Sequence, residues 1–209
     1  MTPELAGVGV LITRPEGQEG PIAALIGASG GNPILFPAIR IEPLPQIDRA
    51  QALTDLQQFG LVIFVSPNAV RVAMPTILRS GGLPAHAKVA AVGPGTAAEL
   101  KNFGVRDIIS PRQGFDSEAL VHELSSLPLD GSRALVIRGQ GGRELLAETL
   151  RSRGAKVEYL ECYRRLTPGR DMEALLPLWR DGQLKACIAT SSTIVTNLYE
   201  TAGEAGRAW

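Results

Sequence analysis

The sequence predicts an α/β fold of two similar lobes, each a parallel sheet flanked by helices. Three observations carry the prediction. Short Val- and Ile-rich runs alternate with helical segments; one strand–helix–strand stretch matches another 124 residues on; and a Pro-rich stretch follows each copy.

The runs come first in chain order. Val8 to Ile12, Leu61 to Val65, Val89 to Val92, Ala134 to Ile137 and Ala186 to Ala189 are short, apolar and bounded by Gly, Pro, Ser or Thr. That is how strands buried on both faces read. Helical segments follow nearly all of them, which is the rhythm of doubly wound sheets.

The internal match is ungapped. VLITRPEGQ aligns with LVIRGQGGRE so that Arg14 meets Arg138, Gly30 meets Gly154 and Arg40 meets Arg164, each pair 124 residues apart. A second match, IFVSPNAV with IATSSTIV, pairs Ser66 with Ser191 at an offset of 125. Two such matches in the same order predict a duplicated unit. By the same offset AVGPGTAAEL, with Thr96, would recur near position 221, beyond Trp209. The second lobe is therefore expected to be short of at least one strand and one helix. PAIRIEPLP and RRLTPGRD follow the two copies and disfavour helix or central strand, so they mark crossings between lobes.

Composition narrows the function. Of 209 residues, 44% are apolar and 20% charged, enough for one large core or two small ones. Twenty-one basic residues balance twenty-one acidic ones, which gives no electrostatic footprint for nucleic acid. Cys162 and Cys187 lack metal-ligand spacing and are expected as small apolar strand residues, with neither zinc nor a disulfide. No apolar run approaches the ~20 residues of a membrane helix, and MTPELAGVGVLITRP has no basic leader. A cytoplasmic protein without membrane contact is expected.

Parallel sheets bind ligands at the carboxyl ends of their strands, where helix N-termini present free N–H groups. Five junctions have that form: ITRPEGQ, FVSPNAV, AVGPGTA, IRGQGGRE and ATSSTIV. Helix capping alone explains any one of them. Five together predict a cleft lined with donors and two arginines, suited to a ligand with many carboxylates. GQGGRE lacks GxGxxG spacing and instead starts a helix with an acid in its first turn. His86 and His122 belong to no catalytic constellation and are expected at the surface. Tyr163 places a polar ring where its repeat mate, Ile39, is apolar. It is either an amphipathic packing residue or part of the site.

TRP near the start, FPAIRIEP, IFVSPNAV, AVGPGTAAEL, IRGQGGRELLAETLRSRGAKVEYLECYRR and ATSSTIVTNL, in this order over residues 8 to 200, resemble uroporphyrinogen-III synthases. The resemblance implies lobes joined by a two-stranded β ladder, with residues 1–38 plus 166–209 forming one lobe and 41–163 the other. It implies cyclisation of hydroxymethylbilane, a linear tetrapyrrole with eight carboxylates, to uroporphyrinogen III with loss of water and inversion of the last ring. No cofactor is implied, and a monomer acting on this small molecule is expected. Carried over position by position, Thr13, Arg14, Ser66, Asn68, Thr96, Arg138, Gly139, Gly142, Ser191 and Ser192 would bind substrate. Tyr163 would assist departure of the hydroxyl. The family's second VGxxTA threonine has no counterpart here, which leaves a non-catalytic anion- or tetrapyrrole-binding module as the competing reading.

Overall fold

In the computed structural model, residues 4–45, 52–114, 116–169 and 172–207 are described. The strands are β1 (Gly9–Ile12), β2 (Asn32–Leu35), β3 (Arg40–Pro43), β4 (Leu61–Phe64), β5 (Lys88–Ala91), β6 (Ile108–Ile109), β7 (Arg133–Gly139), β8 (Lys156–Leu166) and β9 (Leu184–Ile188). The helices are α1 (Gly20–Ala28), α2 (Pro67–Arg79), α3 (Pro94–Asn102), α4 (Ser117–Glu123), α5 (Leu145–Ser152), α6 (Leu176–Arg180) and α7 (Ser192–Arg207). The chain divides into a continuous unit, Glu42–Arg164, and a discontinuous one, Met1–Ile41 with Arg165–Trp209. It passes between them within β3 and β8.

In the continuous unit the strand order is β3-β8-β7-β4-β5-β6, and β8, β7, β4, β5 and β6 run parallel. Alternation along β4 sends Leu61 and Ile63 to one face, where they pack with Leu120 and Leu124 of the α4 segment and Leu146 and Leu150 of α5. Val62 and Phe64, on the other face, are also fully buried. Helices thus cover both faces, which is why these strands read as unbroken apolar runs. β3 lies at the edge, where Pro43 costs no ladder bond. Leu44 N–H donates to the Cys162 carbonyl at 2.9 Å, and Arg164 pairs with Glu42. Residue numbers rise on one strand as they fall on the other, so this edge is antiparallel. Proline did not prevent a strand in PAIRIEPLP; it confined the strand to an edge.

The discontinuous unit has a three-stranded parallel sheet ordered β2-β1-β9. Val10 and Ile12 pack with Ile26 of α1, and Leu11 packs with Phe36, Leu175 and Leu184. Cys162 is buried in β8 as expected, but Cys187 is exposed, because β9 is an edge strand left uncovered on both faces from Lys185 to Cys187.

The repeat survives into the backbone. Gly9 pairs with Asn32 and Arg133 with Lys156, and the second pair is the first displaced by 124. After α1, Gly30 and Gly31 N–H groups bond to Gly27 and Ile26; after α5, Gly154 and Ala155 bond to Arg151 and Leu150, again displaced by 124. Gly30 and Gly154 have φ of 78° and 86°, the left-handed turn that stops a helix cheaply only at glycine.

Candidate active site

In the continuous unit β7, β4 and β5 are adjacent and parallel, so their carboxyl ends form one edge. Ser66 leaves β4 in extended conformation and caps α2, its Oγ accepting the Ala69 N–H at 3.1 Å, while Pro67 opens the helix. Asn68 lies half-buried in that first turn. Gly93 caps α3 without a side chain, and Thr96 is buried one turn in. A Cβ on Gly95 would lie 3.6 Å from Pro67, so the two helix starts nearly touch.

Tyr163 joins this edge through a bulge. Up to Arg138 the β7–β8 register is unbroken, with Arg138 opposite Glu161; the next pair is Gly139 with Tyr163. The extra residue re-aims the strand. The ring lies on Gly139, where a Cβ would come within 2.6 Å of Cζ, and the phenol oxygen is 3.0 Å from Ser66 Oγ. Tyr163 is fully buried. Ser66, Gly139 and Tyr163 therefore meet, and Gly139 serves by leaving room for the ring.

Arg138 sits beside them with its charge engaged. It donates to Glu144 at 2.8 Å and to Glu161 at 3.2 Å, and its guanidinium lies 3.8 Å above the Tyr159 ring. Burial works against the charge, but the bonds to Glu144 and Glu161 and the field of Glu144 outweigh it and raise the pKa. Hydrogen bonds from Tyr159 and then Arg138 hold the Glu144 carboxyl below its usual range. Burial, and then donation to Glu144, raises Tyr159. Glu144 thus turns back to this cluster and caps nothing, and α5 starts only at Leu145. Gly142 is exposed in the intervening loop at φ 127°. Glu144, Tyr159 and Glu161 were missed at the sequence level. A polar cavity of about 370 Å³ is lined by Leu44, Gln140, Tyr159 and Glu161.

In the discontinuous unit the corresponding ends are those of β1 and β9. Thr13 is fully buried, its hydroxyl donating to the Ile188 carbonyl at 2.6 Å, so it ties the two strands together. Arg14 follows, its Nε shielded from solvent without a hydrogen-bond partner. Ser191 Oγ accepts the Ile194 N–H at 3.3 Å, the same cap as Ser66, and Ser192 is exposed at the start of α7. The apolar cavity of about 310 Å³ in this unit, lined by Leu11, Trp179, Leu184, Cys187 and Leu198 among others, lacks convergent polar groups. Among the described residues there is no group of three or more potential metal ligands, and no helix is long and apolar enough to cross a membrane.

Known proteins resemble this chain in sequence and in fold. The model of the family described as uroporphyrinogen-III synthase HemD matches residues 20–209. The chain belongs to the uroporphyrinogen-III synthase family. It is 33% identical to the uroporphyrinogen-III synthase of Salmonella typhimurium over 194 residues, 91% of this chain and 78% of that protein. It is 32% identical to the enzyme of Synechococcus elongatus over 201 residues, 92% of this chain and 74% of that one. A solved uroporphyrinogen III synthase from Thermus thermophilus superimposes with a TM-score of 0.66 over 97% of this chain and 81% of its own, at 23% identity, which bears on the fold. Family membership makes the chain a cyclising lyase of tetrapyrrole biosynthesis.

Proposed function

We propose that the chain closes hydroxymethylbilane to uroporphyrinogen III, and that its strand-end donors hold the substrate for that closure. Family membership across residues 20–209 carries the reading. Pyrrole electrons expel the terminal hydroxyl; a substituted carbon attacks the resulting electrophile; the spiro intermediate reopens and recloses with the last ring inverted. Spontaneous closure gives the uninverted isomer, so the protein's task is to select a geometry. A row of helix N-termini and caps suits that task better than a catalytic triad would.

The donors are the side chains of Ser66, Asn68 and Thr96 at the starts of α2 and α3 in the continuous unit, with Arg14, Ser191 and Ser192 in the discontinuous one. Each presents positive potential to carboxylates. The departing hydroxide needs a proton. Tyr163 lies behind Ser66, so its proton reaches that oxygen through Ser66 or a water. The closure requires no cofactor, and a monomer in the cytoplasm fits it.

An assay supplying hydroxymethylbilane and separating the I and III isomers tests the reaction. Product consisting only of the I isomer refutes it and leaves a binding module. Tyr163→Phe should slow formation of the III isomer up to about a hundredfold without unfolding the chain; an unchanged rate removes Tyr163 from the mechanism.

A further inference from the structure

The two repeat-related arginines meet opposite surroundings. Arg138 has Glu144, Tyr159 and Glu161 around it. The residues 124 positions earlier are Gly20, Leu35 and Pro37, so the first copy gives Arg14 no acid and no ring where the second supplies three partners. Nε is shielded and unpartnered in both arginines, but the terminal nitrogens of Arg138 are held in ion pairs and, among the described residues, those of Arg14 are not; Oε2 of Glu19, in the same β1–α1 connection as Arg14, is likewise shielded and unpartnered. Glu19 stands at the N-cap position of α1 without making a cap bond. This one connection therefore holds a donor and an acceptor that are both shielded and unsatisfied, a costly state unless a ligand completes them.

A pyrrole ring bearing acid side chains offers the matching pair: a carboxylate that accepts and a ring N–H that donates. We infer that the β1–α1 connection binds one pyrrole unit of the substrate, Arg14 taking a side-chain carboxylate and Glu19 the ring N–H, and that Arg138 takes none. The inference rests on the proposed reaction for the identity of the ligand. Arg138 is a clamp, fixing the loop that carries Gly141 and Gly142 through Glu144 and Glu161; Gly141 N–H also donates to Glu161 at 3.3 Å. A guanidinium already holding two carboxylates has little left for a third.

Variants at three positions of the full chain separate these roles. Arg14→Gln should raise KM for hydroxymethylbilane about tenfold and weaken binding of the octacarboxylate uroporphyrin III, followed by fluorescence, by a similar factor. Arg14→Lys should recover part of both. Glu19→Met should raise KM about threefold, with little effect on uroporphyrin III, whose N–H groups point into the macrocycle. Neither substitution should lower the melting temperature of the ligand-free chain. Arg138→Gln should lower the melting temperature and leave uroporphyrin III affinity unchanged; should it fail to fold, Arg138→Lys gives the same comparison. Weakened binding in the Arg138 variant equal to that in the Arg14 variant overturns the inference. So does a lowered melting temperature with intact binding for both Arg14→Gln and Glu19→Met, which would mean that the two pair with each other. If the wild type makes only the I isomer yet Arg14→Gln still loses uroporphyrin III, the reaction fails and the Arg14 site stands.

Discussion

In the first copy of the repeat, β1 ends at Ile12 and leads into Thr13 and Arg14, the chain breaks after β2 at Phe36 to Ile39, and β3 begins afresh at Arg40. In the second, β7 runs through Arg138 to Gly139 and β8 is a single strand of eleven residues. Backbone register is the same in both: Gly9 faces Asn32 as Arg133 faces Lys156. Side chains are not. The second copy has filled the strand end with a salt-bridged arginine and a buried tyrosine, while the first has left its arginine open. Register depends on backbone length and turn chemistry, which a glycine and a helix of fixed length preserve. The chemistry of the strand end depends on single side chains, free to diverge once the frame is set.

Substituting matched positions measures that divergence. The largest effect is expected at Gly139→Ala, where the new methyl would sit 2.6 Å from the Tyr163 ring; a loss of about 3 kcal/mol in a urea titration is anticipated, as for overpacking with no room to relax. Its mate in the first copy, Pro15→Ala, should change stability by less than about 0.5 kcal/mol. A loss at Gly139 as small as at Pro15 would mean that the ring moves freely.

Ser66→Ala comes next. It removes a cap and the contact with Tyr163, and should cost about 2 kcal/mol, against about 1 for Ser191→Ala, which removes a cap alone. Equal losses would show that the Tyr163 contact adds nothing to stability.

The smallest effect concerns pH. Glu144 has a lowered pKa in the folded chain, so its contribution is complete above its unfolded value, about 4.5, and is lost as pH falls through the folded value. Glu144→Gln should therefore lower stability near neutral pH and converge on the wild type as pH falls through that range, which flattens the acid limb of the stability profile. The first copy has glycine at the matched position and should show no such dependence. An acid limb unchanged by the substitution would mean that Arg138 relies on Glu161.

Much of the frame was legible in the sequence. All five apolar runs are strands; in β1, β4, β5 and β7 burial on both faces leaves an unbroken apolar signal, whereas β9, expected to be buried, is an edge strand exposed from Lys185 to Cys187. β2, β3 and β6 were not read individually: NPIL and RIEP are half-exposed and contain proline, and β6 is two residues long. At the site, the Ser66 and Ser191 caps were visible as Ser before a helix. The cluster around Arg138 was not, since Glu144, Tyr159 and Glu161 reach it through sheet register and loop return. Register supplies the missing step: the interval from Gly9 to its partner Asn32, taken from Arg138 instead, lands on Glu161. Tyr163 could be read as packing or site, and its position against Gly139 depends on a bulge that no local pattern announces.

Pairing distance also bears on the order in which the chain can assemble. Each β–α–β copy closes between near neighbours, as Gly9 with Asn32, whereas β1 must find β9 across most of the chain, from Gly9 to Leu184. Loop-closure entropy alone makes the longer closure costlier by about 1.8 kcal/mol. Every strand that β4, β5 and β7 need is available once synthesis reaches Arg164, while β1 and β2 must wait for the chain to return. Amides of Val10 to Ile12 should therefore gain protection from hydrogen exchange after those of Val62 to Phe64 during refolding, and the reverse order would place nucleation in the discontinuous unit.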